Sequence, residues 1–394
     1  MIKAFNGSSM CDDAYTAGRE ATKKALAEVP GKPDMLWVFA SARYDQRKLL
    51  EGVASVAAGM PVIGCSSNGE ISIPGLSLKA VAVLALVADC IRFHPAQVEH
   101  LSKDSYASGA RLGEKLQGLD CRYLQIFSDG LGGNADQIIQ GMKSRLGDGI
   151  KIAGGAAGDG GIFKQTFQYS NDHVLSDSIV AVGFEGDFAF STSVACGWFP
   201  VGVAKKVTRS SGNVVYELDG QPALQVYEKF LGKHANRLPA VGVEYPLGLL
   251  GPHEDLEDSS YFLCRATMGV DRKTGSITFA GEVPQGALVK MTMGSETDII
   301  QAVAEAAQSA MEELQGGDPA AAAVKPKVIF MYSCMARKIV LGSKTAEEIS
   351  AVRKAVGNDV PLIGFYTYGE YAPVGKHGHS HFHNETATMT IIGE

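Results

Sequence analysis

The sequence predicts an α/β (α+β) fold in which β-α-β-β units recur, forming mixed sheets covered by helices. Three observations predict it. PVIGCSSNGE at 61–70 returns as PLIGFYTYGE at 361–370, each reading Pro, apolar, Ile, Gly, four variable residues and Gly-Glu. Each copy follows an apolar run ending near a Ser (DMLWVFASARYDQ and KVIFMYSCMAR) and a segment of helical spacing (RKLLEGVASVAAG and TAEEISAVRKAVG). A looser third copy runs YLQIFSDGLGG, ADQIIQGMKSRLG, IKIAGGAAGD over 123–159, with Gly158-Asp159 in place of Gly-Glu. Self-similarity of this kind marks a fold assembled from one repeated supersecondary unit.

Within each copy the first apolar run reads as a strand, the periodic segment as a helix and the Pro-led run as a buried strand. Further strand-like sequence follows each Gly-rich turn: LKAVAVLALVA, SIVAVGFEGD and TATMTIIG. A strand–helix–strand crossover sets its flanking strands parallel, while the added strand runs antiparallel, so the sheets are expected to be mixed. The middle of the chain differs. FAFSTSVACGWFPVGVAKKVTRSSGNVVYELDG (188–220) reads as a meander turning at Ser211-Gly212-Asn213. PALQVYEKFLGKH (222–234) reads as an amphipathic helix opened by Pro. The acidic loop GVEYPLGLLGPHEDLEDSS precedes the strands FLCRATMGVD and GSITFAGEVPQGALVKMTMG, and LQGGDPAAAAVKPK reads as a helix end entering a linker.

A chain of 394 residues is long enough for two or three domains, each with its own core. Net charge is −7 and no basic run occurs, which argues against a nucleic-acid partner. AVAVLALVA at 80–88 is of strand length, too short to span a bilayer, and the N-terminus lacks an apolar signal core. Seven cysteines (11, 65, 90, 121, 196, 264, 334) are scattered without CxxC pairs, an odd count that suits reduced thiols and a cytoplasmic location. CxxCH is absent, which excludes c-type haem attachment. There is no P-loop and no GxGxxG opening a helix, so a nucleotide site lacks support.

Nine motifs in order resemble the FIST family, a tandem of FIST N and FIST C sensory domains. They are GCSSNGE (64–70), AGGAAGD (153–159), W-x-P-V-G (198–202), VT-x4-GNVVYELDGQPAL (207–224), YPLG (245–248), EVPQG (282–286), YSCMAR (332–337), GFYTYGE (364–370) and FHNET (382–386). The resemblance covers the chain from about Met35 to its end and implies small-ligand sensing in bacterial signal transduction. It implies a FIST N domain over 1–205 and a FIST C domain over 206–394. The stand-alone length is similar to that of the family's nitric-oxide-sensing haem proteins, which regulate a separate histidine kinase or cyclic-di-GMP enzyme. A homo-oligomer is compatible with this reading.

Candidate residues follow. Gly64, Gly69, Gly364 and Gly369 read as turn glycines, and Glu70 and Glu370 as paired acceptors for a ligand or for backbone amides. Phe365, Tyr366, Tyr368 and Tyr371 crowd the second Gly-Glu turn where the first has Cys65, Ser66, Asn68 and Ile71. That asymmetry suits a pocket made mostly by the C-terminal domain, with Phe365, Tyr366, Tyr368, Gly369 and Glu370 lining it and Glu70 opposite. A noncovalent haem needs an axial imidazole in an apolar pocket, and His234, His253 and His383 are the candidates. His377, His379 and His381 alternate with His383 at period two, so an extended chain would put them on one face as a metal site. Ser66, Ser128, Ser333 and Cys334 fall at strand ends, where nucleophiles occur, but serve equally as turn and cap residues. Three readings result: a haem sensor of nitric oxide, a sensor of a small metabolite such as an amino acid without haem, and a hydrolase. A non-enzymatic sensor is the expectation.

Overall fold

One unit of six strands and two helices, used three times with a further short helix in the third copy, builds most of the chain in the computed structural model, which describes residues 1–73, 75–251, 262–316, 324–374 and 378–394. The first copy comprises β1 (Ile2–Ser9), α1 (Ala14–Leu26), β2 (Met35–Ser41), α2 (Gln46–Ala57), β3 (Val62–Ser67), β4 (Glu70–Ser72), β5 (Gly75–Ser77) and β6 (Val81–Ala88). The second comprises β7 (Ile91–Glu99), α3 (Ser105–Leu116), β8 (Cys121–Ser128), α4 (Ala135–Leu146), β9 (Lys151–Ala156), β10 (Gln168–Ser170), β11 (His173–Leu175) and β12 (Ser178–Gly186). The third opens with β13 (Ala189–Ala195) and then departs into an insertion. The insertion contains β14 (Phe199–Ser211), β15 (Val214–Leu218), β16 (Gln221–Pro222), α5 (Ala223–Leu231), β17 (Leu247–Leu250), β18 (Phe262–Arg265), β19 (Thr267–Asp271), β20 (Ser276–Phe279) and β21 (Leu288–Met293). The third copy resumes with α6 (Glu296–Leu314), β22 (Pro326–Cys334), α7 (Met335–Leu341), α8 (Thr345–Val356), β23 (Leu362–Thr367), β24 (Gly369–Val374), β25 (His379–His383) and β26 (Ala387–Gly393).

The helices start where the sequence supplies a cap. Asp13, Asp45, Asp104 and Asn134 each accept a hydrogen bond from the backbone N–H three residues on, and Ser295 with Asp298 forms a capping box at α6. Each copy's two central strands run parallel (β2 with β3, β8 with β9, β22 with β23), and its return strand runs antiparallel beside the first of them. The mixed sheets expected from the sequence are therefore present. The opening strand and helix of the first and second units escaped the sequence reading, as did the short hairpin before their return strands.

Those hairpins join the copies. β4 leaves the first copy and pairs with β23, β24 leaves the third and pairs with β9, and β10 leaves the second and pairs with β3. Each hairpin thus extends a sister's sheet, and the three exchanges close a cycle. Position 205 falls inside β14, while β13 pairs along its length with β26, so strands on either side of that position share one sheet.

The inner faces of the three sheets meet in one core, in which Phe39 lies 4.7 Å from Phe365 and Phe127 5.7 Å from Tyr332, ring centre to ring centre. Two hydrogen bonds cross between copies there: Trp37 Nε1 donates to Gln125 Oε1 at 2.7 Å and the Tyr123 hydroxyl to Thr390 Oγ1 at 2.8 Å, while the Tyr332 hydroxyl and Gln125 Nε2 have no partner among the described residues. This interior is filled by aromatic and aliphatic side chains from all three sheets. The helices cover the outer faces with separate clusters, and the insertion has its own core around Tyr227, Val241, Leu249 and Phe279.

Candidate functional site

The first glycine of each repeated motif stands within a strand, not at a turn as the sequence reading placed Gly64 and Gly364. Gly64, Gly154 and Gly364 lie in register with Val38, Ile126 and Met331 on the parallel neighbour. A Cβ on them would sit 1.8, 1.9 and 1.6 Å from those residues' carbonyl oxygens, so only glycine permits this strand spacing. Immediately beyond, the three chains close a ring of backbone bonds: Asn68 N–H to Tyr366 O at 2.9 Å, Tyr368 N–H to Ala156 O at 3.0 Å and Gly158 N–H to Ser66 O at 3.0 Å. The carboxyl ends of all three parallel pairs therefore converge at one end of the molecule, the end at which open α/β sheets bind ligands.

Glu70 and Glu370 occupy equivalent places beyond that ring, each serving its own copy. The Ser67 hydroxyl donates to Glu70 Oε1 and the Ala80 N–H to Oε2 at 2.9 Å. Glu370 receives the Thr367 hydroxyl, and on its other oxygen the Thr386 hydroxyl at 2.7 Å. Burial pushes Glu70 up to about 7 and Glu370 up to about 8, against those hydrogen bonds. Each carboxyl also accepts a backbone amide of its own copy, Ala80 N–H for Glu70 and Thr386 N–H for Glu370, the backbone-acceptor alternative of the sequence reading. Phe365 is consumed by the central core, and Tyr366 donates its hydroxyl to Glu348 at 2.7 Å beside the buried Arg337–Glu348 ion pair. Of the aromatic set expected to line a pocket with Gly369 and Glu370, Tyr368 lines one.

That pocket lies where the insertion overhangs the carboxyl ends of the second and third copies, and it has two lobes. The apolar lobe, about 310 Å³, has Cys334, Ala336, Thr367 and Tyr368 on the barrel side and Ala240 and Met268 on the insertion side. The polar lobe, about 380 Å³, runs along the loop from Asp129 to Asp136 and meets Glu282 of the insertion. Tyr368, Met268 and Ala280 line both lobes. Phe163, half exposed and held at φ +56°, stacks on Tyr368 with centroids 4.8 Å apart and rims the apolar lobe. Its loop is fixed by Asp159, whose carboxylate accepts the N–H groups of Ile162, Phe163, Lys164 and Gln165 and the Tyr368 hydroxyl. Burial raises Asp159, but those bonds outweigh it and hold the group below the usual carboxylate range.

The insertion is anchored by two buried arginines. Arg265 donates to the Glu282 and Phe382 carbonyls, and Asp136 lies 3.6 Å from its guanidinium. Arg337 pairs with Glu348 at 2.6 Å and donates to carbonyls of Ala195, Cys196, Ile299 and Glu385, tying both roots of the insertion to the third copy. Phe163 and the 239–243 and 266–268 segments carry no chemical signature in sequence, which is why the reading passed over them.

The histidines lie elsewhere. His234 is exposed on a 3-10 turn after α5. His383 is buried with Nε2 3.1 Å from the Ala372 carbonyl, and burial, followed by neighbouring His381, lowers it to about 3. Neither lines the apolar lobe, so these two do not fit an axial haem ligand there; His253 lies outside the described residues. His379 and His381 alternate along β25 with His383 as period two requires, His377 lies outside the described residues, and among the described residues no cluster of three or more metal-ligating side chains occurs. The strand-end hydroxyls are engaged structurally: Ser66 donates to Gly158 O at 2.7 Å, Ser333 to Glu348 at 3.0 Å, and Ser128 lies 2.8 Å from the Tyr371 hydroxyl. Burial pushes the Cys334 thiol well up, and none of these four groups bonds a histidine among the described residues.

A covered cleft thus sits on the repeat scaffold at the carboxyl ends of its second and third copies. The FIST N domain matches residues 34–221 and the FIST C domain residues 223–373, and the chain belongs to the FIST family, whose domains are sensory modules of signal transduction. An uncharacterised protein of Mycobacterium tuberculosis (strain CDC 1551 / Oshkosh) is 26% identical over 392 residues, 98% of each chain. An uncharacterised protein of Methanocaldococcus jannaschii is 24% identical over 397 residues, covering 91% of this chain and 73% of its own. Among solved structures, a cyanuric acid hydrolase from A. caulinodans aligns with TM-score 0.37 and 8% identity over 100% of this chain and 99% of its own. A chorismatase aligns with TM-score 0.38 and 8% identity over 100% and 98%. Neither likeness bears on this chain's chemistry. No helix among the described residues is long and apolar enough to cross a membrane.

Proposed function

We propose that this chain is a sensor of a small organic ligand seated in the cleft between the insertion and the third copy, without haem. The observation that carries the reading is the apolar lobe of about 310 Å³ at the carboxyl ends of β22 and β23, roofed by the insertion. Ligand there touches both the barrel and the insertion, so occupancy can bias how the two pack, which is what a partner must read. A separate histidine kinase or cyclic-di-GMP enzyme as that partner belongs to the same proposal and rests on family membership. The test is thermal unfolding of wild type and Ala240→Trp against a set of small metabolites, with haem and nitric oxide as a parallel arm. Ala240 is exposed and lines the lobe, so a Trp can fill the cavity without entering the core. A ligand at about a hundred times its Kd stabilises the native state by about 2.7 kcal/mol. Stabilisation by a metabolite that Ala240→Trp abolishes is expected. A stoichiometric haem whose Soret band shifts with nitric oxide, or stabilisation indifferent to Ala240→Trp, would overturn the reading.

A further inference from the structure

Beneath the insertion one carboxyl group is left without a partner. Glu385 stands two residues before the first paired residue of β26, fully buried, with φ +63°, and among the described residues neither of its oxygens has a hydrogen bond. The same position in the first copy is Lys79 (φ +62°), an exposed side chain, and in the second Asp177 (φ +49°). Asp177 accepts the Ser102 N–H at 2.7 Å and the Ser102 hydroxyl at 2.9 Å. The left-handed turn is thus a property of the repeat, whereas the buried, unbonded acid is peculiar to the copy that the insertion covers.

Other polar atoms around it share the condition. The side-chain oxygen and nitrogen of Asn384 have no partner, and neither do Thr267 Oγ1 and the Tyr227 hydroxyl, which neighbour each other without a hydrogen bond of normal geometry. Thr267 and Cys334 line the apolar lobe, and the Cys334 N–H bonds the carbonyl of Thr386, the residue after Glu385, at 2.8 Å. Of these groups Thr267 reaches the lining of that lobe, and Tyr227, Asn384 and Glu385 lie behind the lining, next to Thr267 and Cys334. Buried polar groups without partners are few in native proteins, and a cluster of them beside a cavity calls for something that bonds them.

We propose that Glu385 receives the ammonium group of a primary amine whose apolar body occupies the lobe above it. The inference rests on the cleft being the ligand site. The titratable and charged groups whose electrostatic influence couples to Glu385 are Cys196 just after β13, Cys264 on β18, Tyr227 on α5, Cys334 on β22, Arg337 on α7 and Glu370 on β24. The one cation among them, Arg337, is committed to Glu348 and to backbone carbonyls. A ligand carboxylate would find no free positive charge there, which selects a simple amine over a zwitterion. Burial, with neighbouring Cys196 and Glu370 adding to it and Arg337 opposing, raises the Glu385 carboxyl well above the usual carboxylate range. When the ammonium ion enters, the carboxyl O–H bond breaks, the proton passes to solvent and the carboxylate pairs with the cation.

Calorimetric titration of the full chain with n-pentylamine and with 1-pentanol tests this, in wild type, Glu385→Gln and Ala240→Trp, at pH 7 in buffers of different ionisation heat. Expected are saturable amine binding with release of about one proton, weakening by about tenfold or more in Glu385→Gln, and weak alcohol binding that Glu385→Gln leaves unchanged. Proton release is read on wild type, so the test survives if Glu385→Gln does not fold. No amine binding, binding without proton release, or equal affinity for amine and alcohol would overturn the subsite. Should Ala240→Trp abolish binding of a metabolite while pentylamine shows no proton release, the cleft stands and the amine subsite alone fails.

Discussion

The first and third copies share one frame and differ in what covers it. Both hold a glycine under a neighbouring carbonyl, a Ser or Thr three residues before a buried Glu, and a left-handed residue ahead of the return strand. In the first copy that last residue is an exposed lysine and the arginine after the first central strand, Arg43, is a surface residue paired with Asp12. In the third copy the insertion covers the same end, the arginine is fully buried and the left-handed residue is an unbonded acid. The frame accounts for the repeat; the cover encloses a cleft at one of three equivalent ends.

The largest effect expected of a substitution separates the two arginines. Arg337→Met strands Glu348 in the interior and should cost about 3–5 kcal/mol in urea unfolding, whereas Arg43→Met should cost less than about 1 kcal/mol. Similar losses for both would show that the insertion does not seal the third copy. The three strand glycines come next: Gly64→Ala, Gly154→Ala and Gly364→Ala should each cost on the order of 3 kcal/mol, since each meets a backbone carbonyl. If one copy tolerated alanine, the threefold equivalence would fail there.

The buried glutamates give a pH signature. Both are raised above the ordinary carboxylate value, so between about pH 4.5 and their folded values the native state holds a proton that the unfolded chain has lost. Stability then falls as pH rises, by at most about 1.4 kcal/mol per unit per group. The decline due to Glu70 should end near pH 7 and that due to Glu370 near pH 8; Glu70→Gln and Glu370→Gln should each remove their own portion from unfolding curves taken across this range. The smallest effect belongs to Lys79→Glu, which places the acid of the third copy at the uncovered turn of the first. Stability should change by no more than about 0.5 kcal/mol, and no additional amine binding should appear, because nothing desolvates the new carboxyl.

Sequence pattern exposed the frame because strand, helix and turn are local: the matching PxIG runs and the helical spacing of RKLLEGVASVAAG and TAEEISAVRKAVG were enough to place β2, α2, β3, β22, α8 and β23. The hairpin exchange was not legible, since β4 and β5 are three residues each and β23, the strand that β4 joins, lies almost three hundred positions away. The site was legible only in part. Tyr368 and Cys334 stood out by residue type, but Ala240, Met268 and Ala336 matter through position alone. Glu70, Tyr366 and Glu370 looked like ligand groups because a sequence does not show that Ser67, Glu348 and Thr386 already hold them. FHNET carried Glu385 in plain view, yet the reading fixed on its histidine, the residue type associated with haem.

The most direct test of the site's location is hydrogen exchange by mass spectrometry on the full chain, with and without the compound that stabilises it most in the metabolite screen. Slowed exchange at 239–243, 266–268 and 334–339, with 67–80 of the first copy unchanged, is the expected result. Protection centred on 67–80, with the insertion and α7 unaffected, would contradict it and return the site to the Gly-Glu turns.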